Sequence, residues 1–268
     1  MLKNLIKTGA IYLDTYEVLK LNGDIDKVEA LLQGQVTSDI SELANNNAQM
    51  SCLLDHKGFI QADFILAKLN NEIFVIVEKS LTGNLKDQLS QFTKFYNAEV
   101  ESLDIKVRGL VSLSDEMNIS KPFVYFKGDE YILSIDMSNL ENSIEESKID
   151  LLEWKVANKI LLNYLFVKND IDKYRPNELN YDKSRVSFSK GCFRGQEVVA
   201  RVHYLGVNRR EFVTAVVPSG ITIDTKIKIH GETLKFLDHN IFTTHIKRDD
   251  LQNQIYKSIE FIRYPDSN

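Results

Sequence analysis

The sequence predicts an α+β fold that ends in a small β unit. Two observations carry this reading. Helical and strand-like stretches mix without the regular alternation of a doubly wound sheet. Beyond Arg209 the pattern changes to short strands. The frame is ordinary: 268 residues suit one large domain or two smaller ones, and 43% hydrophobic content is enough to bury a core and exclude a disordered chain.

From the N-terminus, a helix begins near Asp24, with Val28, Leu31 and Leu32 on one face and Gly34 placed to stop it. A short helix starts at Thr37 or Ser38, with Ile40 and Leu43 inward. Residues 51–54 and 59–69 read as strands joined by Asp55-His56-Lys57-Gly58, whose Asp and Gly suit the ends of a type I turn. Asn70-Asn71 is a second turn, followed by a buried strand over 73–77. From Ser80, Leu81, Leu85, Leu89, Phe92 and Phe95 recur at helical spacing and predict a long amphipathic helix. Residues 98–105 and 106–113 read as strands, and 122–126 and 131–135 flank Lys127-Gly128-Asp129 as a hairpin. Residues 151–167 read as helix. Periodicity fades over 168–190, where Asp170, Asp172, Pro176, Asn177, Asn180 and Ser184 mark a long irregular segment of a kind often functional. Strands at 212–217, 226–229, 234–237 and 255–262 complete the terminal unit, expected to be a small barrel. The expected division is an α+β region over 1–208, with a further split near 100–120, and a β unit over 209–268.

Charge is uneven. The chain carries a formal −5, which excludes a wholly basic nucleic-acid binder. Yet residues 183–210 hold Lys183, Arg185, Lys190, Arg194, Arg201, Arg209 and Arg210 against Glu197 alone, whereas residues 129–153 hold eight acids and only Lys148. A basic segment in an acidic chain suits an anionic ligand. Cys52 and Cys192 form neither a disulfide framework nor a zinc spacing, and are too few to hold an iron–sulfur cluster alone. No histidine pair has metal-ligand spacing, so no metal is expected. Lys3, Asn4, Lys7 and Asp14 break the N-terminal apolar run, and no stretch approaches a membrane span. Sparse cysteine fits a reducing compartment. The expectation is a cytoplasmic monomer without membrane attachment.

The most informative stretch is Ser189-Lys190-Gly191-Cys192-Phe193-Arg194-Gly195-Gln196-Glu197. Two glycines frame a thiol between two cations, which favours a thiolate. Gly195 permits a tight turn into a helix at Gln196, whose N-terminus favours negative charge. The alternative is a small buried cysteine. His203 is the nearest histidine in sequence, and no catalytic dyad is legible around the thiol.

Residues 190–197 resemble the K-G-C-[FY]-x-G-Q-E signature of the YgfZ family, folate-binding proteins related to the T-protein (aminomethyltransferase) of the glycine cleavage system. The likeness runs on through Val198-Val199-Ala200-Arg201 and includes Pro176-Asn177-Glu178-Leu179-Asn180. Gln33-Gly34-Gln35-Val36-Thr37-Ser38-Asp39 resembles the family's Q-G-Q-V-T-x-D segment, and Asp55-His56-Lys57-Gly58 its D-x-K-G turn. The resemblance implies a T-protein-like fold, with ferredoxin-like units around a folate cavity and a closing C-terminal β-barrel. It also implies binding of tetrahydrofolate or a derivative, and a part in making or maintaining iron–sulfur enzymes. One such group methylthiolates tRNA, so the link to tRNA would be indirect. Trp154 aligns with a tryptophan the family uses at the folate site. Tyr16 stands near the place of a second, and Lys159 and Asn163 replace a usual Arg and Gly. Lys190, Arg194 and Arg201 are candidates for the folate tail.

Three readings follow. The first is a folate-dependent accessory factor for iron–sulfur client proteins or their assembly machinery, with Cys192 as a functional thiol rather than a turnover catalyst. The second is an aminomethyltransferase, which needs an acid at the reactive folate nitrogens. The third is an RNA-binding module using residues 183–210, a segment without an interleaved aromatic pattern.

Overall fold

In this computed structural model, residues 2–114, 123–137, 147–206, 209–252 and 256–264 are described. The elements in chain order are β1 (Gly9–Tyr12), β2 (Tyr16–Asn22), α1 (Ile25–Gln35), β3 (Asn47–Leu54), β4 (Ile60–Leu69), β5 (Glu72–Glu78), α2 (Lys79–Thr93), β6 (Glu99–Leu103), β7 (Arg108–Leu113), β8 (Phe123–Lys127) and β9 (Tyr131–Asp136). There follow α3 (Leu151–Ile160), α4 (Gln196–Leu205), β10 (Arg210–Pro218), β11 (Ile229–Phe236), β12 (His239–Lys247) and β13 (Glu260–Ile262). The mixture of helices with antiparallel sheets is the α+β class the sequence predicts.

Two compact units form. The larger takes Thr8–Lys148 and Phe166–Leu205, and the smaller takes Met1–Lys7, Ile149–Leu165 and Gly206–Asn268. The larger holds a five-stranded antiparallel sheet, β3-β4-β5-β2-β6, and a four-stranded one, β1-β7-β9-β8. Helices α1 and α2 pack on the first sheet, and β3 lies beside β8 of the second. Asp24 caps α1 by accepting from Lys27 N–H, and Val28, Leu31 and Leu32 are buried, as their spacing requires. Asn70 and Asn71 both take positive φ, which asparagine tolerates, and turn β4 into β5.

In the smaller unit, β11-β12-β10-β13 form an antiparallel sheet whose strands β10 and β12 pair from Arg210↔Lys247 to Pro218↔His239. Val213, Ala215, Val217, Phe242 and Ile246 build its core. Helix α3 starts in a capping box in which Asp150 accepts from Glu153 N–H and Glu153 accepts from Asp150 N–H.

Several elements differ from expectation. Helix α1 continues through Gly34 to Gln35, because Val36 leaves the helix to bridge Leu53. Helix α2 ends at Thr93, and a 3-10 turn then rotates Phe95 outward, leaving it 83% exposed. Helix α3 ends at Ile160: Leu162 takes φ 58°, and Asn163 bonds back to Asn158, so residues 161–165 leave the helix. The terminal unit is an open sheet among the described residues, so the expected barrel is not confirmed. Residues 226–228 precede strand β11 rather than forming one, and β12 (His239–Lys247) is a strand the sequence reading did not pick out, its apolar Ile241, Phe242 and Ile246 being interrupted by Thr243, Thr244 and His245. Pro122, Glu141, Glu145, Glu146 and Ile255 lie outside the described residues.

Candidate functional site

The three motifs far apart in sequence come together in the larger unit. The loop before α4 lies along the segment that leaves α1. Ser187 N–H donates to Thr37 O at 2.9 Å, and Arg194 N–H to Gly34 O at 3.2 Å. Lys190 drives its ammonium inward and donates to Val36 O and Ser38 O, each at 2.8 Å. Burial pushes the Lys190 amine down to about 8, an effect Asp39 opposes. The Asp55–Gly58 turn closes the group from the other side. A Cβ built on Gly195 would stand 2.5 Å from Asp55 O, and one on Gly58 would stand 3.2 Å from Val198 Cβ. Both glycines have positive φ, so each place demands glycine twice over, by conformation and by space.

The result is an exposed thiol on a fixed frame. Cys192 is exposed and free, and open space surrounds the Cα of Gly191. Lys190 and Arg194 turn away from it, Lys190 to the two carbonyls and Arg194 to Gln88 Oε1 at 2.6 Å. Gln196 and Glu197 open α4, and Glu197 pairs with Arg201 one turn on, both largely exposed. Cys52, by contrast, is fully buried beside Thr37 Oγ1, and burial pushes its thiol up to about 12.

The same chain segment leads into a buried polar group. Thr37 Oγ1 donates to Arg185 O at 2.7 Å. The Arg185 guanidinium pairs with Asp63 through Nε at 2.9 Å and lies 3.6 Å over the Tyr181 ring. Tyr181 donates its hydroxyl to the other carboxylate oxygen at 2.8 Å. Arg185 is 4% exposed and the Asp63 side chain 14%. Two half-buried phenols, Tyr16 and Tyr125, stand in the field of this pair; burial first, then Asp63 for Tyr16 and Tyr16 itself for Tyr125, hold both hydroxyls protonated. Tyr125 sits where the β8–β9 register slips between Val124 and Phe126, a bulge that re-aims its side chain.

Trp154 lies in the smaller unit, on α3, only 2% exposed, with its indole N–H buried without an acceptor among the described residues. Tyr16 therefore stands at the Asp63–Arg185 pair, and Trp154 belongs to a different unit.

No family model matches the chain. An uncharacterised protein of Haemophilus influenzae is 28% identical over 204 residues, which cover 75% of this chain and 70% of that protein. The tRNA-modifying protein YgfZ of Colwellia psychrerythraea is 26% identical over 235 residues, covering 78% of this chain and 72% of its own. That of Photobacterium profundum is 25% identical over 227 residues, covering 76% and 68%. The chain resembles the YgfZ proteins. In three dimensions it is similar to the glycine cleavage system aminomethyltransferase T of Bartonella henselae, with a TM-score of 0.62 over 92% of this chain and 81% of that one. At 14% identity this likeness concerns the fold, which is T-protein-like.

Asp63, Tyr181 and Tyr125 are absent from the candidates the sequence offers, and Arg185 appears there only as one cation of the basic segment. The available signal was Asp63 itself, a carboxylate inside the apolar run of β4. Such a charge needs a partner.

Proposed function

We propose that this protein is a folate-binding accessory factor in tRNA modification, acting on iron–sulfur client proteins through the thiol of Cys192. The observation that supports it most is the convergence of residues 33–39, 55–58 and 190–201 on one frame that exposes Cys192 and leads into the Asp63–Arg185 pair. Backbone bonds join the first and third stretches, and close packing at Gly195 and Gly58 joins the second to the third, so the three serve to hold that loop.

The residues present suit tetrahydrofolate. Asp63 offers an acceptor to the N–H edge of a pterin, and the half-buried rings of Tyr16 and Tyr125 offer flat apolar surface. Arg185 and the Tyr181 hydroxyl both donate to Asp63 and fix the orientation of its carboxylate. Tetrahydrofolate, when bound, supplies a one-carbon carrier. The chain's own share is to bind and orient it, and to present a thiol on a rigid loop for exchange with a client or as a shared ligand.

In cells lacking the native gene, Cys192→Ala is expected to fail to restore methylthiolated tRNA, while the purified variant keeps its fold and its tetrahydrofolate affinity. Full restoration by that variant would remove the thiol from the account. A second reading, folate-dependent aminomethyl transfer, is favoured by one observation: Asp63 supplies a carboxylate among the ring-bearing residues. Formation of methylenetetrahydrofolate from an aminomethyl-lipoyl donor would decide for it.

A further inference from the structure

Helix α4 buries one residue of its ten, Val199. Its last turn carries a cluster of rings instead of a core contact. His203 lies flat on Phe188, with centroids 3.7 Å apart and planes inclined by 16°. Tyr204 meets His203 and Phe188 edge-on, at 4.9 Å and 6.0 Å. Tyr204 and Leu205 are 67% and 78% exposed. Single exposed apolar side chains are commonplace, but a stacked set at a helix end is a platform.

Cations border it. Arg201 sits on the same helix and is paired only with the exposed Glu197 at 3.2 Å in what is described of it, a surface pair of small worth that yields readily to a phosphate. Lys183 is exposed and adjoins Asp182, whose carboxyl, raised by burial, feels both Lys183 and His203. Rings alone would suit an apolar peptide. Rings with bordering cations suit an unpaired nucleotide, whose base stacks and whose phosphate is anionic. A duplex hides its base faces and does not fit.

We propose that the exposed end of α4 binds single-stranded nucleic acid, with a base on the Phe188–His203–Tyr204 rings and phosphates on Arg201 and Lys183. This goes beyond the folate reading and shares only Arg201 with it; Phe188, His203 and Tyr204 belong to none of its residues, so either can fail alone.

The test uses the intact protein and fluorescein-labelled unstructured RNA of about 12 nucleotides. The same sequence as DNA and as an RNA duplex is run beside it, by anisotropy at about 50 and 200 mM salt. Single strands should bind and weaken with salt, and the duplex should bind at least about tenfold more weakly. The RNA-to-DNA ratio identifies which strand the face prefers. Tyr204→Ala and His203→Ala should each weaken binding roughly five- to hundredfold, the range for losing one stacked ring. Arg201→Gln should flatten the salt dependence. All three side chains are exposed, so melting temperatures should match the parent. No binding at low salt, equal binding of the duplex, or unchanged binding in both ring variants would overturn the proposal, and a protein partner would then be the occupant to seek.

Discussion

Replacing Gly195, three residues after the thiol, by alanine should damage the protein more than replacing Gly191, which adjoins it. At Gly195 φ is +81°, a region costing an alanine about 1–2 kcal/mol. The added Cβ would also meet Asp55 O at 2.5 Å and Leu54 Cβ at 3.0 Å. Asp55 O has little room to retreat. It accepts from Gly58 N–H, while Asp55 N–H donates to Phe59 O and the Asp55 carboxylate accepts from Lys57 and Phe59 N–H. Overpacking against such a fixed group adds about 1–3 kcal/mol. The sum is about 2–5 kcal/mol, a fall of about 1–2 M in the urea midpoint at ordinary slopes. At Gly191 nothing lies within 4 Å, so Gly191→Ala should stay within about 0.5 kcal/mol. Equilibrium urea unfolding followed by far-UV circular dichroism reads both. Equal midpoints for parent and Gly195→Ala would refute the claim that the turn and the thiol loop are locked together.

Other expectations follow from the same contacts. Arg185→Ala leaves the largely buried Asp63 carboxylate without its cation and should cost about 3–5 kcal/mol in urea unfolding, whereas Gln88→Ala, which releases the half-buried Arg194 from one hydrogen bond, should cost only about 1 kcal/mol. Lys190 is held at about 8, below its ordinary 10.5, so between those pH values the unfolded chain binds more protons and stability rises with pH. Relative to Lys190→Met, the parent should therefore gain stability from pH 8 to pH 10, and a flat difference would contradict the buried ammonium. A thiol titration with a disulfide reagent should find one reactive group in the native protein, lost in Cys192→Ala, with Cys52 appearing only on unfolding.

Much of the fold was legible because its signals are local. Asp24 and Asp150 cap their helices, Asn70-Asn71 and Asp55–Gly58 turn the chain, and the spacing of Val28, Leu31 and Leu32 fixes the buried face of α1. Strand β12 was not legible. Its buried Thr243 and Thr244 donate to His230 O in β11 and Lys228 O just before it, so polar buried positions interrupt the apolar pattern of Ile241, Phe242 and Ile246. Residues 161–167 read as helix because buried extended chain and buried helix share an apolar composition, and Asn163 bonding back to Asn158 is not visible in periodicity. At the candidate site, Cys192 and its glycines stood out by motif. The Asp63–Arg185 pair did not, because its members lie 122 positions apart and only folding joins them. Tyr125 depends on a register slip, which no local sequence pattern announced.

The most direct measurement is an anaerobic calorimetric titration of tetrahydrofolate into the intact protein and into Asp63→Asn, a variant that keeps size and most hydrogen bonding but removes the charge. The account predicts saturable one-to-one binding to the parent and affinity lowered about tenfold or more in Asp63→Asn, as expected when a charge-assisted hydrogen bond is lost. No heat at any ligand concentration, or equal affinity in both proteins, would contradict the placement of folate at the Asp63–Arg185 pair.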